Sequence, residues 1–340
     1  TNKLSMKDFI QVKIKKTYMK SVIVTGGAGF IGSHLVKSIN EKYPECIIYV
    51  VDSITYAGDK KNLEDVNHEF HKIDIRYSKE LSILKDLEID GIFHLAAESH
   101  VDRSIENPHI FLETNVIGTV NMLDLGMKYF SRNPNFKFYH ISTDEVFGSL
   151  EFNESKFSEE TSYDPKSPYS ASKASSDHFV RAYNHTYGLP ILISNCSNNY
   201  GTHQYPEKMI PVIINSIKEN NFIPVYGTGE NVRDWLHVKD HTEAIIEIFE
   251  NGTIGETYCI GGDCELNNLK LVFTICDLCD EYLGKNKKES RKLISFVTDR
   301  KGHDLRYAIS TEKIKNDLNW KPKRTIEEGL RETVKWYMEK

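Results

Sequence analysis

Thr25-Gly26-Gly27-Ala28-Gly29-Phe30-Ile31-Gly32 is the stretch of sequence that decides the fold. It follows the apolar run Ser21 to Thr25 and opens a segment, Gly32 to Lys42, whose apolar residues recur with helical spacing. Its glycines satisfy G-x-x-G-x-x-G, a pattern that allows a tight turn and close approach of the backbone to a pyrophosphate at a helix N-terminus. We therefore predict a dinucleotide site. The predicted contacts from this turn are Gly26, Gly29, Phe30, Ile31 and Gly32.

Asp52 strengthens this prediction because it ends the next β-rich run, Cys46 to Asp52, twenty residues after Gly32. A carboxylate at that point accepts hydrogen bonds from the adenosine ribose hydroxyls. It also repels a 2′-phosphate, so we predict NAD and not NADP as the cofactor. A plain turn with a strand-end cap is the alternative interpretation of the glycines and Asp52.

The rest of the chain alternates short apolar runs with amphipathic segments. Further strands are predicted at Phe70 to Ile73, Gly91 to Ala96, Phe136 to Ser142, Pro190 to Ser194 and Thr257 to Ile260. Helices are predicted at Pro108 to Phe130, Ser170 to Tyr187 and Val238 to Glu250. Continuous apolar strands separated by helices are typical of a parallel sheet covered on both faces. The predicted fold class is α/β, a Rossmann-like doubly wound parallel sheet with a smaller C-terminal substrate-binding lobe.

The pattern loosens after Asn195, and this change suggests the domain organisation. We predict an NAD-binding domain over residues 21–195, with returns to it at about 236–262, and a lobe made of residues 196–235 and 263–340. Residues 1–20 are lysine-rich without a secretory apolar core, so we expect a leader or tag-like extension there.

Composition narrows the classes of protein. The net charge of −6 over 340 residues argues against a protein that coats nucleic acid or an anionic membrane. No apolar run approaches the roughly 20 residues of a membrane span. Six scattered cysteines are typical of reduced thiols in the cytoplasm. Cys276 and Cys279 lie at helical spacing, so we expect them to face the core, and we predict no metal site.

Three other strand ends add to the predicted cofactor site. Asp74-Ile75 follows one strand and is placed to contact adenine, although Asp74 could equally be a turn residue. Ala96-Ala97 follows the strand Gly91 to Leu95 and puts small residues where the backbone approaches the cofactor. Ser142-Thr143 ends another parallel strand, and ligands bind at such carboxyl ends.

Tyr169 and Lys173 begin the long predicted helix, four residues apart and so on one helical face. A nearby ammonium favours phenolate, which would bring the pKa of the tyrosine towards neutrality and make it a usable base. An ordinary surface pair is the alternative. The preceding dinucleotide motif and Ser142-Thr143 favour catalysis, with Tyr169 and Lys173 also contacting the cofactor.

With these motifs the sequence resembles the extended short-chain dehydrogenase/reductase superfamily. Within it, the chain is similar to the dTDP-glucose 4,6-dehydratase family. The narrower resemblance rests on Thr55-Tyr56-Ala57-Gly58, Ala96 to Ser104, Ser142 to Val146, Cys196 to Gly201, Pro206-Glu207-Lys208, Arg233 to Leu236, and Asp299-Arg300 with Gly302-His303-Asp304. It runs in order from Ser21 almost to the end.

The acidic pair Asp144-Glu145, directly after Thr143, indicates the reaction class. Removing water across C5 and C6 of a sugar needs a base and an acid, and two carboxylates can serve if their environments separate their pKa values. The resemblance implies that Tyr169 takes the C4 hydroxyl proton while hydride passes to NAD, and that Thr143 binds the C4 oxygen. It implies that Glu145 removes the C5 proton and Asp144 protonates the C6 hydroxyl, before hydride returns to C6. Helix capping by the two carboxylates is the alternative.

The resemblance also implies a site for a nucleoside-diphosphate sugar and a homodimer that pairs through two long helices. The residues it assigns to the substrate are Ser99, Asp102, Thr143, Asn199, Lys208, Tyr226, Arg233, Arg300, His303 and Tyr307.

The chain departs from the family pattern at Phe147, Asn195, Thr202-His203 and Lys301. We expect most of these to flank the nucleotide-sugar site, which leaves a dTDP-linked or UDP-linked hexose open. A UDP-sugar dehydratase or epimerase and a non-catalytic NAD-binding protein are the alternative functions.

Overall fold

The structure, a computed structural model, describes residues 19–299 and 304–340. The strands are β1 (Ser21–Thr25), β2 (Ile47–Asp52), β3 (Glu69–Lys72), β4 (Gly91–His94), β5 (Lys137–Thr143), β6 (Ile191–Cys196), β7 (Asn198–Tyr200), β8 (Ile223–Tyr226), β9 (Val232–His237), β10 (Thr257–Ile260), β11 (Glu265–Asn267) and β12 (Ile294–Val297). The helices are α1 (Phe30–Lys42), α2 (Ser78–Leu81), α3 (Val101–Glu106), α4 (Pro108–Phe111), α5 (Gly118–Phe130), α6 (Pro168–Tyr187), α7 (Met209–Lys218), α8 (Val238–Asn251), α9 (Asn268–Leu283), α10 (Glu312–Leu318) and α11 (Ile326–Glu339).

The main sheet has seven parallel strands in the order β10-β6-β5-β4-β1-β2-β3. Strand β1, which lies between β4 and β2, is buried along its length. Val22 and Val24 join one hydrophobic cluster and Ile23 joins the other, because successive side chains point to opposite faces. Burial on both faces explains the continuous apolar runs. The predicted doubly wound α/β sheet is confirmed, and β10 returns to it as expected.

The predicted helix from Pro108 to Phe130 is interrupted. α4 and α5 are separated by a π-helical turn, Leu112–Ile117. Asn115 lies in this wide turn with its side chain buried and bonded outside the helix. A prediction from periodicity misses such a turn because it inserts without breaking the apolar pattern.

A second group of elements packs at the carboxyl edge of the main sheet. β11, β9 and β7 form a three-stranded sheet, and β8 and β12 pair in parallel. α7, α9 and α11 enclose a separate hydrophobic cluster. Cys276 and Cys279 are buried in it, so their predicted core role is confirmed. Ile314 and Trp320 belong instead to a cluster of the main sheet, and the exact domain division stays a prediction.

The predicted leader overlaps the described residues only at its end. Residues 1–18 lie outside the described residues. Met19 is buried in the main-sheet cluster, and the backbone N–H of Lys20 donates to Asp90 Oδ2 at 2.7 Å. None of the helices in residues 19–299 and 304–340 combines the length and apolar character that crossing a membrane would need.

Candidate active site

The glycine turn joins β1 to α1 and is close-packed. Gly26 has φ +67°, and a Cβ there would lie 2.9 Å from the backbone of Ala96. A Cβ on Gly32 would lie 2.1 Å from the Gly26 carbonyl oxygen. Both contacts are with backbone, which cannot move aside, so these positions require glycine. The N-terminus of α1 therefore stands open towards the cleft, as a cradle for phosphate needs.

Asp52 ends β2 beside this turn. Its Oδ2 accepts from the Ala28 N–H at 3.0 Å, and its Oδ1 accepts from the Ile54 N–H at 2.8 Å. Burial raises the pKa of this carboxyl, and the two backbone hydrogen bonds oppose the rise. Asp52 is thus held against the glycine turn, facing the same cleft.

A cleft, called here the first cleft, runs along the carboxyl ends of the main-sheet strands. Its lining includes every residue that we predict to contact the cofactor, namely Gly26, Gly29, Phe30, Ile31, Gly32, Asp52, Asp74, Ile75, Ala96, Ala97, Ser142, Tyr169 and Lys173. The glycine cradle, the helix N-terminus and Asp52 fit an adenine dinucleotide. Their individual contacts remain predictions.

Tyr169 and Lys173 face this cleft from the first turns of α6. Ser167 caps the helix by accepting from the Ser170 N–H, and Pro168 opens it. Lys173 is buried, and its Nζ donates to the Ile141 carbonyl at 2.9 Å. The cap and this bond fix the rotation of α6, which places both side chains against the end of β5.

The prediction that Lys173 brings the pKa of Tyr169 towards neutrality is wrong for this arrangement of side chains. Burial raises the pKa of Tyr169 well above its usual value, Glu145 adds to the rise, and a hydrogen bond from Thr143 opposes it. Burial lowers the pKa of Lys173 itself, and the Asp177 carboxylate opposes that. The surroundings of Tyr169 therefore disfavour its ionisation, and a positive charge in the cleft would favour it.

Asp144 and Glu145 follow Thr143 in a tight turn, Asp144–Phe147. Asp144 is 2% exposed. Burial raises its pKa well above the usual value, Glu145 and Asp234 raise it further, and Arg233 opposes them. Burial and the neighbouring carboxylates thus favour the neutral form of Asp144, while Glu145 reaches the open cleft. Neighbouring carboxyl groups in unlike surroundings suit an acid and a base.

A second cleft lies between the carboxyl edge of the main sheet and the other lobe, and it opens into the first. Ser99, Glu145, Asn199 and Lys208 line both. The predicted substrate residues that line the second cleft are Ser99, Asp102, Asn199, Lys208, Tyr226, Arg233 and Tyr307. Thr143 lines the first cleft. Arg300 and His303 lie outside the described residues.

Arg233 is the central cation of the second cleft. It is 8% exposed, its Nη2 donates to the Asp304 carbonyl at 3.0 Å, and its guanidinium lies 4.3 Å from the ring centre of Tyr307. The hydroxyl of Tyr307 donates to the Asp304 carboxylate. Nη1 also donates to the Val232 carbonyl at 2.7 Å, so the guanidinium is fixed where it lines the cleft, and a planar guanidinium suits recognition of a diphosphate.

Four positions that depart from the family pattern lie within the described residues, and none of them lines the second cleft, so the expectation that most departures flank it is wrong. Phe147 stacks on Phe157 in an apolar cluster. Asn195 donates to the Thr143 carbonyl at 3.0 Å, because β6 runs beside β5. Thr202 and His203 contact the cofactor side of the molecule. Lys301 lies outside the described residues.

Sequence reasoning missed a buried polar group behind the catalytic side chains. Asp177 is fully buried one turn after Lys173, and accepts from Ser142 Oγ at 3.0 Å, Tyr163 Oη at 2.7 Å and Asn195 Nδ2 at 3.3 Å. Its spacing of four from Lys173 is a signal that could have found it.

Sequence reasoning also missed Asn115, because the π-helical turn that contains it does not disturb the apolar periodicity. Its Oδ1 accepts from the Glu98 N–H at 2.8 Å, and its Nδ2 donates to Ser172 Oγ at 2.8 Å. It therefore ties the loop after β4 to α6.

The residues that we assign to chemistry do not form a metal centre. Across the described part of the chain, no three His, Cys, Asp or Glu side chains come together in a way that could hold a metal ion.

Comparison with known proteins gives consistent matches over most of the chain. A family described as GDP-mannose 4,6 dehydratase matches residues 23–333. A dTDP-glucose 4,6-dehydratase of Escherichia coli is 48% identical, over 93% of this chain and 92% of that protein.

Two crystal structures of dTDP-glucose 4,6-dehydratases are similar in fold and sequence. The protein of Bacillus anthracis, in complex with NAD, is 44% identical with a TM-score of 0.83, over 94% of this chain and 97% of that one. The protein of Streptomyces venezuelae, with NAD bound, is 41% identical with a TM-score of 0.86, over the same shares.

Proposed function

We infer the function from the premise that this chain belongs to the GDP-mannose 4,6-dehydratase family. At 48% identity over 93% of its length, it belongs within it to the dTDP-glucose 4,6-dehydratases. It is an NAD-dependent enzyme that converts dTDP-glucose to dTDP-4-keto-6-deoxyglucose with loss of water. UDP-linked hexoses and simple epimerisation are the less favoured alternatives.

The first step is oxidation at C4 of the sugar. NAD, when bound, supplies the hydride acceptor and, in its oxidised form, a positive charge that favours ionisation of the buried Tyr169. Tyr169 takes the proton of the C4 hydroxyl, and Thr143 donates a hydrogen bond to the same oxygen. Lys173, buried below Tyr169, orients it and the nicotinamide ribose.

The second step is elimination across C5 and C6. The C4 ketone acidifies the C5 proton, which Glu145 removes from the open side of the cleft. Asp144 protonates the C6 hydroxyl, which leaves as water. The hydride taken from C4 then returns to C6, and Glu145 gives the proton back to C5, so the 4-keto-6-deoxy sugar forms with no net change in the oxidation state of NAD. The observation that carries this proposal is the buried Asp144 beside Glu145, because an epimerase has no use for a neutral acid there.

The nucleotide diphosphate occupies the second cleft. Arg233, Lys208 and Asn199 bind the phosphates and sugar, Tyr226 and Tyr307 the base or ribose, and Ser99 and Asp102 the hexose. Arg300 and His303 are proposed, from the family resemblance, to contact the nucleotide diphosphate. The lobe made of residues 196–235 and 263–340 is proposed as the unit that binds substrate.

The test is incubation with dTDP-glucose, UDP-glucose and UDP-N-acetylglucosamine in separate reactions. We expect the alkaline absorbance of a 4-keto product with dTDP-glucose and, in deuterated water, one deuterium at C5. Inversion at C4 without loss of water would contradict dehydration. Turnover of the UDP sugars alone would contradict the assigned base.

We also infer a homodimer formed through the face of α5 and α6. Large apolar side chains are exposed on α6 (Phe179 and Tyr187), on the π-helical turn that leads into α5 (Leu112 and Ile117) and on α3 (Ile105). A solvent-exposed apolar patch of this kind marks a protein interface. Light scattering should give twice the mass of the chain, and the Phe179→Glu variant should shift it towards a monomer.

The compartment is proposed from the cysteines. All six are unpaired, and five are buried. Unpaired thiols suit a reducing compartment, so we propose the cytoplasm. Cell fractionation with an epitope-labelled chain would check this.

A further inference from the structure

Residues 202–208, called here the strap, cross from the second lobe to the cofactor side of the molecule. They connect β7 with α7 and have no regular secondary structure. At the start of the strap, Thr202 Oγ1 lies 3.0 Å from His34 Nε2 on α1, and His203 Nδ1 lies 2.6 Å from Asn62 Oδ1. Asn62 Nδ2 donates to the Ala28 carbonyl at 3.0 Å, so the strap is tied to the glycine turn.

The far end of the strap meets the loop that follows β2. The ring of Tyr205 packs edge-on against Tyr56, with centroids 5.3 Å apart. The guanidinium of Arg103, from α3, lies 3.6 Å from the centre of the Tyr56 ring. Its Nη2 lies 3.1 Å from Glu207 Oε2, and Lys208 Nζ donates to the Ser99 carbonyl at 3.2 Å.

These contacts stand across the first cleft. Tyr56, Tyr205 and Glu207 all line it, with Tyr56 on the β2 side and the other two on the strap. Arg103 therefore joins the two walls, since it contacts Tyr56 with one face and Glu207 with its Nη2. The Tyr56 loop and the strap are thus in contact beside the part of the cleft where we predict the dinucleotide to lie.

We propose that Arg103 is a positioning residue that keeps NAD resident by holding Tyr56 against the strap. This rests on the proposed function, in which the reduced cofactor must stay in place until hydride returns to C6. The motifs that carry Tyr56, Arg103 and Glu207 have no part in proton transfer, and cofactor retention gives them one shared role.

The expected size of the effect follows from the two interactions that an Arg103→Gln variant removes. An exposed cation–π contact and an exposed ion pair are each weak, so removing both together should speed NAD release roughly tenfold, which is about 1.4 kcal/mol. Tyr56→Ala should have a similar effect. Tyr56→Phe keeps the ring and should release NAD as slowly as the unmodified protein.

The experiment measures exchange of bound NAD for radiolabelled NAD in the loaded protein, with no nucleotide sugar present. The matched control is Arg291→Gln. Arg291 makes the same two kinds of contact elsewhere, with the Asp277 carboxylate at 2.5 Å and the Phe273 ring at 4.4 Å, inside the second lobe. Replacing it should leave NAD release unchanged.

Release from Arg103→Gln and Tyr56→Ala that is no faster than from Arg291→Gln would overturn the proposal. So would a protein that binds no NAD. If exchange behaves as expected but dTDP-glucose is not dehydrated, the proposed function fails while the role of Arg103 stands. Far-UV circular dichroism and the melting temperature identify a variant that has simply unfolded. In that case Arg103→Lys supplies the test, because it keeps the charge for Glu207 but loses the planar stack on Tyr56. We expect Arg103→Lys to speed NAD release less than Arg103→Gln would.

Discussion

The two clefts of this molecule are built from different materials. The first cleft is made largely of backbone: Gly26 and Gly32, which no other residue can replace, a helix N-terminus, and small residues after β4. The second cleft is made of side chains from distant segments, with Arg233 on β9, Lys208 on the strap and Tyr307 near the C-terminal helices. A backbone site tolerates little change, and it is encoded in one short motif. A side-chain site can be adjusted one residue at a time, which suits substrate selection.

The sharpest test of this difference is Gly32→Ala. A Cβ there would lie 2.1 Å from the Gly26 carbonyl, so the turn must distort. We expect the purified protein to hold no NAD and to have no activity, as measured by nucleotide released on denaturation. In Gly29→Ala the nearest atom, again the Gly26 carbonyl oxygen, is 3.3 Å away, so its melting temperature should fall less than that of Gly32→Ala. Full NAD content in Gly32→Ala would contradict a backbone-built site.

The next largest effect is expected where the clefts meet. Asp144→Asn removes the neutral acid and should lower kcat by about 10²–10⁴-fold while leaving NAD bound. Reduced nicotinamide absorbance should appear without the 4-keto-6-deoxy product, because oxidation at C4 does not need Asp144.

The pH profile gives a control for this variant. The raised pKa of Asp144 favours its protonated form, and kcat should fall as pH rises through that pKa. Asp144→Asn should lose this alkaline fall. An unchanged kcat in the variant would exclude Asp144 as the acid.

In the second cleft we expect graded effects. Arg233→Gln removes charge-assisted hydrogen bonds to the diphosphate and should raise KM roughly 10–100-fold. The control is Arg306→Gln, since Arg306 is equally buried at 8% but does not line the cleft. It bonds Glu265 at 2.8 Å and should lower the melting temperature while leaving KM alone. Equal KM changes in both variants would indicate a packing effect.

The smallest effect concerns His34 on α1, which contacts Thr202 of the strap and so joins the two sides of the molecule. Burial lowers the pKa of His34 to about 4, against 6.5 when unfolded. Below pH 6.5, His34 binds a proton in the unfolded chain but not in the native protein. The free energy of unfolding therefore decreases as the pH is lowered from 6.5 to about 4. Between pH 7.5 and 5.5 this costs about 1 kcal/mol. Urea unfolding at both pH values should show a smaller loss for His34→Gln than for the unmodified protein. An identical loss in both would show that His34 does not contribute.

The two clefts also differ in how much of each could be predicted from the sequence. The glycine turn, Asp52, Asp144-Glu145 and Tyr169/Lys173 were found because each lies within one local motif. The second cleft was reached only through resemblance, because its residues are far apart in the chain and show no local spacing. Asn195 was placed wrongly although its position at the end of β6 puts it beside Ser142 in the register of the sheet.

Contacts between residues that are far apart in the chain could not be predicted from the sequence. His203 meets Asn62 across 141 positions of chain, and Arg103 meets Glu207 across 104. The π-helical turn at Leu112–Ile117 also left no trace in the periodicity.

The edge strand β10 is the last strand of the main sheet in the order of the chain, and this has a consequence for synthesis on the ribosome. β6 is buried along its length and pairs with β10 through Ile193 and Thr257, which are separated by the strap and three other strands of the second lobe. A nascent chain that has emerged only to residue 256 therefore presents an unpaired, apolar strand edge, the kind of surface that aggregates. The growing chain is most exposed to misassembly, and to the need for a chaperone, during that interval.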